Sequence, residues 1–147
     1  MSENVKAEIE ARAEVDEWKK VRDFLKKQFD SLKIEDEKYK KNMILVCEEI
    51  FSNIINHAYA DKKGRISISV GKERQTQIEK EVEMLSIVFK DKGIKFNPLQ
   101  SKPGKISGKA IERKIGGMGL HMAKSMVDEI EYQNINGENV LKLTKML

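Results

Sequence analysis

Hydrophobic positions along this chain change period repeatedly, and each change marks an element. Residues 4–11 alternate, with Val5, Ala7, Ile9 and Ala11 set against Lys6, Glu8 and Glu10, the pattern of a half-buried strand. From about Glu14 to Phe29, Val15, Trp18, Val21, Leu25 and Phe29 recur at helical spacing, with Phe24 and Leu32 alongside. A second helix is predicted from about Glu35 to His57, with Met43, Cys47, Ile50, Phe51, Ile54 and Ala58 as its apolar stripe. Asp61-Lys62-Lys63-Gly64 reads as a turn. Alternation returns over Arg65–Gly71, where Ile66, Ile68 and Val70 share a face. The charged run 72–81 reads as a solvated hairpin loop, and Glu83–Lys90 as a more continuously apolar strand. Leu120–Val127 has helical character. Glu129–Asn134 and Val140–Lys145 then form a closing hairpin around Ile135-Asn136-Gly137-Glu138. Because strands arrive in adjacent pairs, the pattern predicts a largely antiparallel sheet with helices on one face, an α+β two-layer sandwich.

The region left over differs in punctuation. Both prolines and six of the nine glycines lie between Asp91 and Gly119. A long loop without regular structure in a compact domain is often a functional lid. Between Lys92 and Lys114, seven basic residues (Lys92, Lys95, Lys102, Lys105, Lys109, Arg113, Lys114) and one acid (Glu112) give a charge of +6. Taking it from the overall +4 leaves −2 for everything else. The basicity is local, which favours a local anionic ligand over a generic nucleic-acid coat. Lys92 and Lys95 are as readily explained as solvated side chains.

The remaining composition narrows the class. A chain of 147 residues fits a single domain, 1–147, large enough to bury a core. No stretch approaches the roughly 18 apolar residues of a membrane span. The first residues carry no basic-then-apolar signal, so the expected location is cytoplasmic. Cys47 lies on the apolar stripe and is expected to be a buried structural thiol.

The chemistry begins on the second helix. Glu49, Asn53 and His57 are spaced i, i+4, i+8 and stack on one helical face, joined by Ser52, Asn56 and Ala60. A solvated face normally carries Lys and Glu. This one offers a carboxylate to accept a proton and an amide oxygen for a hard cation. Glu48 lies about 100° away around the helix and reads as a solvated neighbour. Asp91-Lys92-Gly93, followed by Phe96-Asn97-Pro98, ends the apolar strand. A carboxylate there could accept from an exocyclic amine such as adenine N6, while Gly93 lets a flat ring approach the backbone. The plain alternative is a turn-forming Asp-x-Gly. Gly116-Gly117-Met118-Gly119-Leu120 opens a helix, where backbone N–H groups and the helix dipole favour an anion; a simple hinge is the other account.

These motifs, in this order, resemble the GHKL (Bergerat-type) ATPases, and within them the small bacterial anti-sigma-factor serine kinases. The segment from Glu49 through Asn53 and His57 to Tyr59 is similar to the N box, Asp91–Pro98 to the G1 box, and Gly116–Leu120 to the G2 box. Val127-Asp128-Glu129 and Asn139-Val140-Leu141 are similar to the closing elements. The resemblance covers nearly the whole chain. It implies a Bergerat fold with a mixed, mostly antiparallel sheet and a flexible lid at about 92–115. It further implies that Asn53 ligates Mg²⁺, that Glu49 is the general base, and that Asp91 contacts adenine beside Gly93. Gly116, Gly117, Gly119 and Leu120 would meet the phosphates. His57 matches a position near the nucleotide, or packs under the lid. Lys95 departs from the glycine common in broader GHKL proteins.

The resemblance implies a Mg·ATP-dependent protein serine kinase. It would phosphorylate an anti-anti-sigma (STAS-domain) partner, sequester a sigma factor and act as a homodimer, with the N-terminal strand and first helix contributing to the dimer. The alternative is a non-catalytic ATP/ADP-binding module that switches partners. Direct nucleic-acid binding is disfavoured, because basic and aromatic residues do not interleave. A histidine kinase is disfavoured too, since neither His57 nor His121 sits in a dimerisation helix pair. Arg113 and Lys114 could neutralise a γ-phosphate or meet an acidic partner.

Overall fold

A computed structural model describes residues 6–60, 62–100 and 123–147 of the chain. The chain enters as strand β1 (Lys6–Arg12), whose outward Lys6, Glu8, Glu10 and Arg12 are exposed while Ala11 is buried. Helix α1 (Trp18–Ser31) buries Val21, Leu25 and Phe29, the positions its period marks out. Val15 departs from that expectation: it sits in a short 3₁₀ turn, Val15–Glu17, and is exposed. α1 ends with Lys33 at φ 63°, and the Ile34 amide donates to Phe29 O at 3.0 Å. Such a left-handed end is normally a glycine position, so the sequence carries no sign of it.

Helix α2 (Glu37–Asn53) begins where the Asp36 carboxylate accepts from the amides of Lys38 and Tyr39, at 3.0 and 3.1 Å. Its last turn is not α-helical. Ile54–Ala58 form a π-helical turn, closed by the Tyr59 amide donating to Ile54 O at 3.0 Å.

The described strands form one sheet in the order β1-β2-β3-β5-β4, where β2 is Arg65–Gln77, β3 is Lys80–Asp91, β4 is Glu129–Ile135 and β5 is Glu138–Met146. Every ladder among them is antiparallel. The α+β sandwich is therefore as expected, with the sheet described here wholly antiparallel. The charged run 72–81 corrects the expected loop. Its residues pair from Lys72↔Leu85 to Gln77↔Lys80, leaving only Ile78 and Glu79 as the turn. Their φ values of 47° and 62° make it the tight hairpin turn whose twist matches the strands. Charge alternation across a ribbon hid a strand, because solvated strand faces look like loop.

One face of the sheet packs on the helices. Ile66, Ile68, Val70, Leu85, Ile87, Phe89, Leu141 and Leu143 meet the buried residues of α1 and α2 in one core. Cys47 lies inside it, and burial pushes its thiol up, far from a reactive thiolate. Asp91 and Asn139 are direct cross-strand partners in the β3–β5 ladder and share the parity of Phe89 and Leu141. Two polar side chains thus stand in a core row, at the edge where the sheet meets the end of α2.

Candidate functional site

Asn53 ends α2 and is only 5% exposed, although it was expected on the face opposite the apolar stripe. It belongs to the margin of the buried face because the end of α2 overlies the sheet. With Ile50 and Ile54 it lines a cleft whose other wall is Asp91, Asn139 and Leu141, with Phe96 and Tyr132 at the rim. Among the described residues the Asn53 amide has no side-chain hydrogen bond. Glu49, one turn earlier, is half-buried, and its Oε2 is buried with no partner. Burial first, and then the Glu48 charge, push the Glu49 carboxyl above its ordinary value. Glu48 itself is exposed, as expected.

The π turn decides where His57 goes. One residue is inserted into the helical repeat, so the ring leaves the cleft and lies exposed, stacked on Phe96 with centroids 4.9 Å apart and planes 24° apart. The packing alternative for His57 thus has a partner. Asn56 is exposed and donates weakly to Ser52 Oγ at 3.4 Å.

Asp91 contrasts with Glu49. Its Oδ1 accepts from the Gly93 amide and from Asn139 Nδ2, both at 2.9 Å. Burial pushes its carboxyl up, and these two donors oppose the shift. The Asp-x-Gly turn and the pocket carboxylate are therefore the same feature: one oxygen makes the turn and the side chain still faces the cleft. Asn139, 3% exposed, is the hub. Its Nδ2 also reaches Ile94 O at 2.9 Å, while its Oδ1 accepts from Tyr132 Oη, Asn134 Nδ2 and the Phe96 amide. Gly93 lies against the π turn, where a Cβ would come 2.4 Å from Ala58 O, so no side chain fits.

The structure therefore brings Asn53 and Asp91 to one cleft, places Glu49 beside it and sets His57 at its rim. Gly116, Gly117, Gly119 and Leu120 lie outside the described residues, as do Arg113, Lys114, His121 and most of the expected lid. Asn139 and Tyr132 were not assigned site roles from the sequence. Asn139 had a signal: it is a polar residue in register with Leu141 and Leu143 on a core-facing strand. Tyr132 had none, because an aromatic on a strand is ordinarily core.

The family model described as "Histidine kinase-like ATPase domain" matches residues 11–145. The chain belongs to the histidine kinase-like ATPase family. As a histidine kinase-like ATPase domain, it has the α+β sandwich its motifs implied. Its relatives include proteins named "Serine-protein kinase RsbW" from Bacillus mycoides (strain KBAB4), Bacillus cereus (strain B4264) and Bacillus anthracis. Each is 30% identical over 111 residues, covering 73% of this chain and 64% of the relative. The chain thus spans less than two thirds of the length of these relatives. No helix among the described residues is long and apolar enough to cross a membrane.

Proposed function

We propose that this histidine kinase-like ATPase domain binds Mg·ATP and transfers its γ-phosphoryl group to a serine of a STAS-type anti-anti-sigma partner. A role in sequestering a sigma factor in the cytoplasm, as a homodimer, belongs to the same reading. The observation that carries it is the cleft with Asp91 on one wall and an unpartnered Asn53 on the other, beside a buried, unpartnered Glu49 oxygen. In this reading Asp91 accepts from the adenine amine and the glycines at 116, 117 and 119, with Leu120, cradle phosphates.

The side chains fit a hard cation in one specific way. No group of three His, Cys, Asp or Glu able to hold a metal exists among the described residues. Mg²⁺ takes few protein ligands and completes its shell with phosphates and water, so the single Asn53 oxygen suits it. When bound, the ion neutralises charge on the phosphates. Glu49 accepts the serine proton as the hydroxyl oxygen bonds to the γ-phosphorus and the bond to the β–γ bridging oxygen breaks, releasing ADP. Its raised pKa suits a proton acceptor in a dry site.

The test is transfer of labelled γ-phosphate from ATP to a matched STAS-domain protein. Wild type should label a serine of the partner, and Glu49→Ala should bind ATP and fail to transfer. ATP binding without transfer to any partner would support the non-catalytic switching module. Transfer by Glu49→Ala at the wild-type rate would remove Glu49 from the base role.

A further inference from the structure

The residues that follow Asp91 are stitched to the π turn of α2. Lys92 N–H donates to Tyr59 Oη at 3.0 Å, and the same hydroxyl donates to Arg65 O at 2.7 Å. Ile94 N–H donates to Ala58 O at 2.8 Å, and Gly93 lies against that carbonyl. Gly93 N–H is taken by Asp91 and Phe96 N–H by Asn139. Four of the five amides from 92 to 96 are thus satisfied inside the protein, two of them by the π turn and the residue after it.

The π turn makes this possible. A helix that continued regularly would hold Ala58 and Tyr59 on its own axis; the wider i→i+5 turn presents the Ala58 carbonyl and the Tyr59 side chain sideways to the loop. Tyr59 is 8% exposed, and its ring occupies the space over Gly64, where a Cβ would come 2.1 Å from it, so only glycine at 64 leaves room for the ring. Burial pushes the phenol up, and the hydroxyl keeps its proton for Arg65 O.

Resting on the nucleotide reading above, we propose that Tyr59 is a positioning residue: its hydroxyl holds the loop from Lys92 to Phe96 in its ligand-ready shape, so Asp91 meets a 6-amino purine without a rearrangement. Rigidity in the bound shape raises affinity by lowering the ordering cost of binding. Tyr59 touches no ligand in this role. It acts through Asp91, by fixing the loop that carries it relative to the helix that carries Asn53.

Tyr59→Phe keeps the ring over Gly64 and removes only the hydroxyl. In the unliganded protein, amide hydrogen exchange at Lys92 and Ile94 should quicken while the β2–β3 core strands stay protected. In binding, the preference for ATP over ITP, which lacks the 6-amino group, should shrink about fivefold, the worth of one hydrogen bond. Gly93→Ala, which pushes a methyl into Ala58 O, should give the same pattern from the other side. Unchanged exchange at 92–96 would overturn the latch, whatever the ligand. Faster exchange with an intact ATP/ITP ratio, or equal losses for ATP and ITP, would reduce Tyr59 to a structural role and overturn its positioning. A wild-type protein that binds ATP and ITP equally would instead sink the base-reading of Asp91, and the exchange result would still stand.

Discussion

Asp91, which lines the cleft, and Glu49, one helical turn from Asn53 beside it, are two carboxylates both raised in pKa by burial, and they are treated in opposite ways. Asp91 ends a strand and meets a cross-strand amide and the amide of Gly93, so one of its oxygens is held twice. Glu49 lies within a helix, where backbone amides are consumed along the axis, and its Oε2 meets nothing. A buried polar atom without a partner costs stability that a satisfied one does not. The strand end is thus satisfied within the protein, while in the proposed reading the helix face is completed by the ligand. Shape is set at the first, and charge is held in reserve at the second.

The sharpest way to break this contrast is at Asp91. In the proposed reading, Asp91→Ala removes the amine acceptor and leaves Asn139 Nδ2 and Gly93 N–H without their partner, so ATP affinity should fall about 100-fold by calorimetry. A loss of less than tenfold would mean that the base is read elsewhere.

Stability separates the two sides next. Asn139→Leu is nearly isosteric but orphans the Tyr132 hydroxyl and the Phe96 amide, and should cost about 2 kcal/mol in urea unfolding. Asn53→Ala, which breaks no hydrogen bond, should change the same unfolding by less than about 1 kcal/mol while removing the Mg²⁺ dependence of ATP binding. Equal destabilisation by both would erase the distinction between a completed wall and a waiting one.

Comparing one variant across pH isolates Glu49. A carboxyl whose folded pKa is raised binds its proton better in the folded state. Folding is therefore favoured at low pH, and the advantage is lost as pH rises from the unfolded value of 4.5 through the folded one. Glu49→Gln removes this penalty. The variant should melt above wild type at pH 7, and the gap should close as the pH falls through the unfolded value of 4.5. A gap that persists at pH 4 would point to packing and not to the buried charge.

The smallest effect lies far from the cleft. Replacing Ile78-Glu79 by Asn-Gly should stabilise the hairpin by about 0.5 kcal/mol, since both residues hold positive φ. ATP affinity should be unchanged, and any shift would tie the arm to the site.

Much of this molecule was readable as pattern. Alternation at Ile66, Ile68 and Val70, and helical spacing at Val21, Leu25 and Phe29, mark the core directly, because burial repeats with the period of the element. The ordered motifs around Asn53 and Asp91 could be read as candidate site residues for the same reason: each is local in the chain. The strand over 72–77 was read as loop, since its charged and polar residues show no apolar alternation of their own. The left-handed end of α1 at Lys33 was silent because nothing in its residue type requires it.

What the sequence by itself determined, then, is the two-layer sandwich, the buried Cys47 and the local motifs that place the chain among the histidine kinase-like ATPases. The tertiary structure alone decided that α2 ends in a π turn, that His57 leaves the cleft for Phe96, and that Asn139 is the hub beneath Asp91. It also decided that Tyr59 ties the loop after Asp91 to the helix. Apart from the π turn itself, these features rest on contacts between residues 33 to 48 positions apart, as Tyr59 to Lys92 and Asp91 to Asn139. A one-dimensional period reports which way a side chain faces. Only packing reports what it meets there.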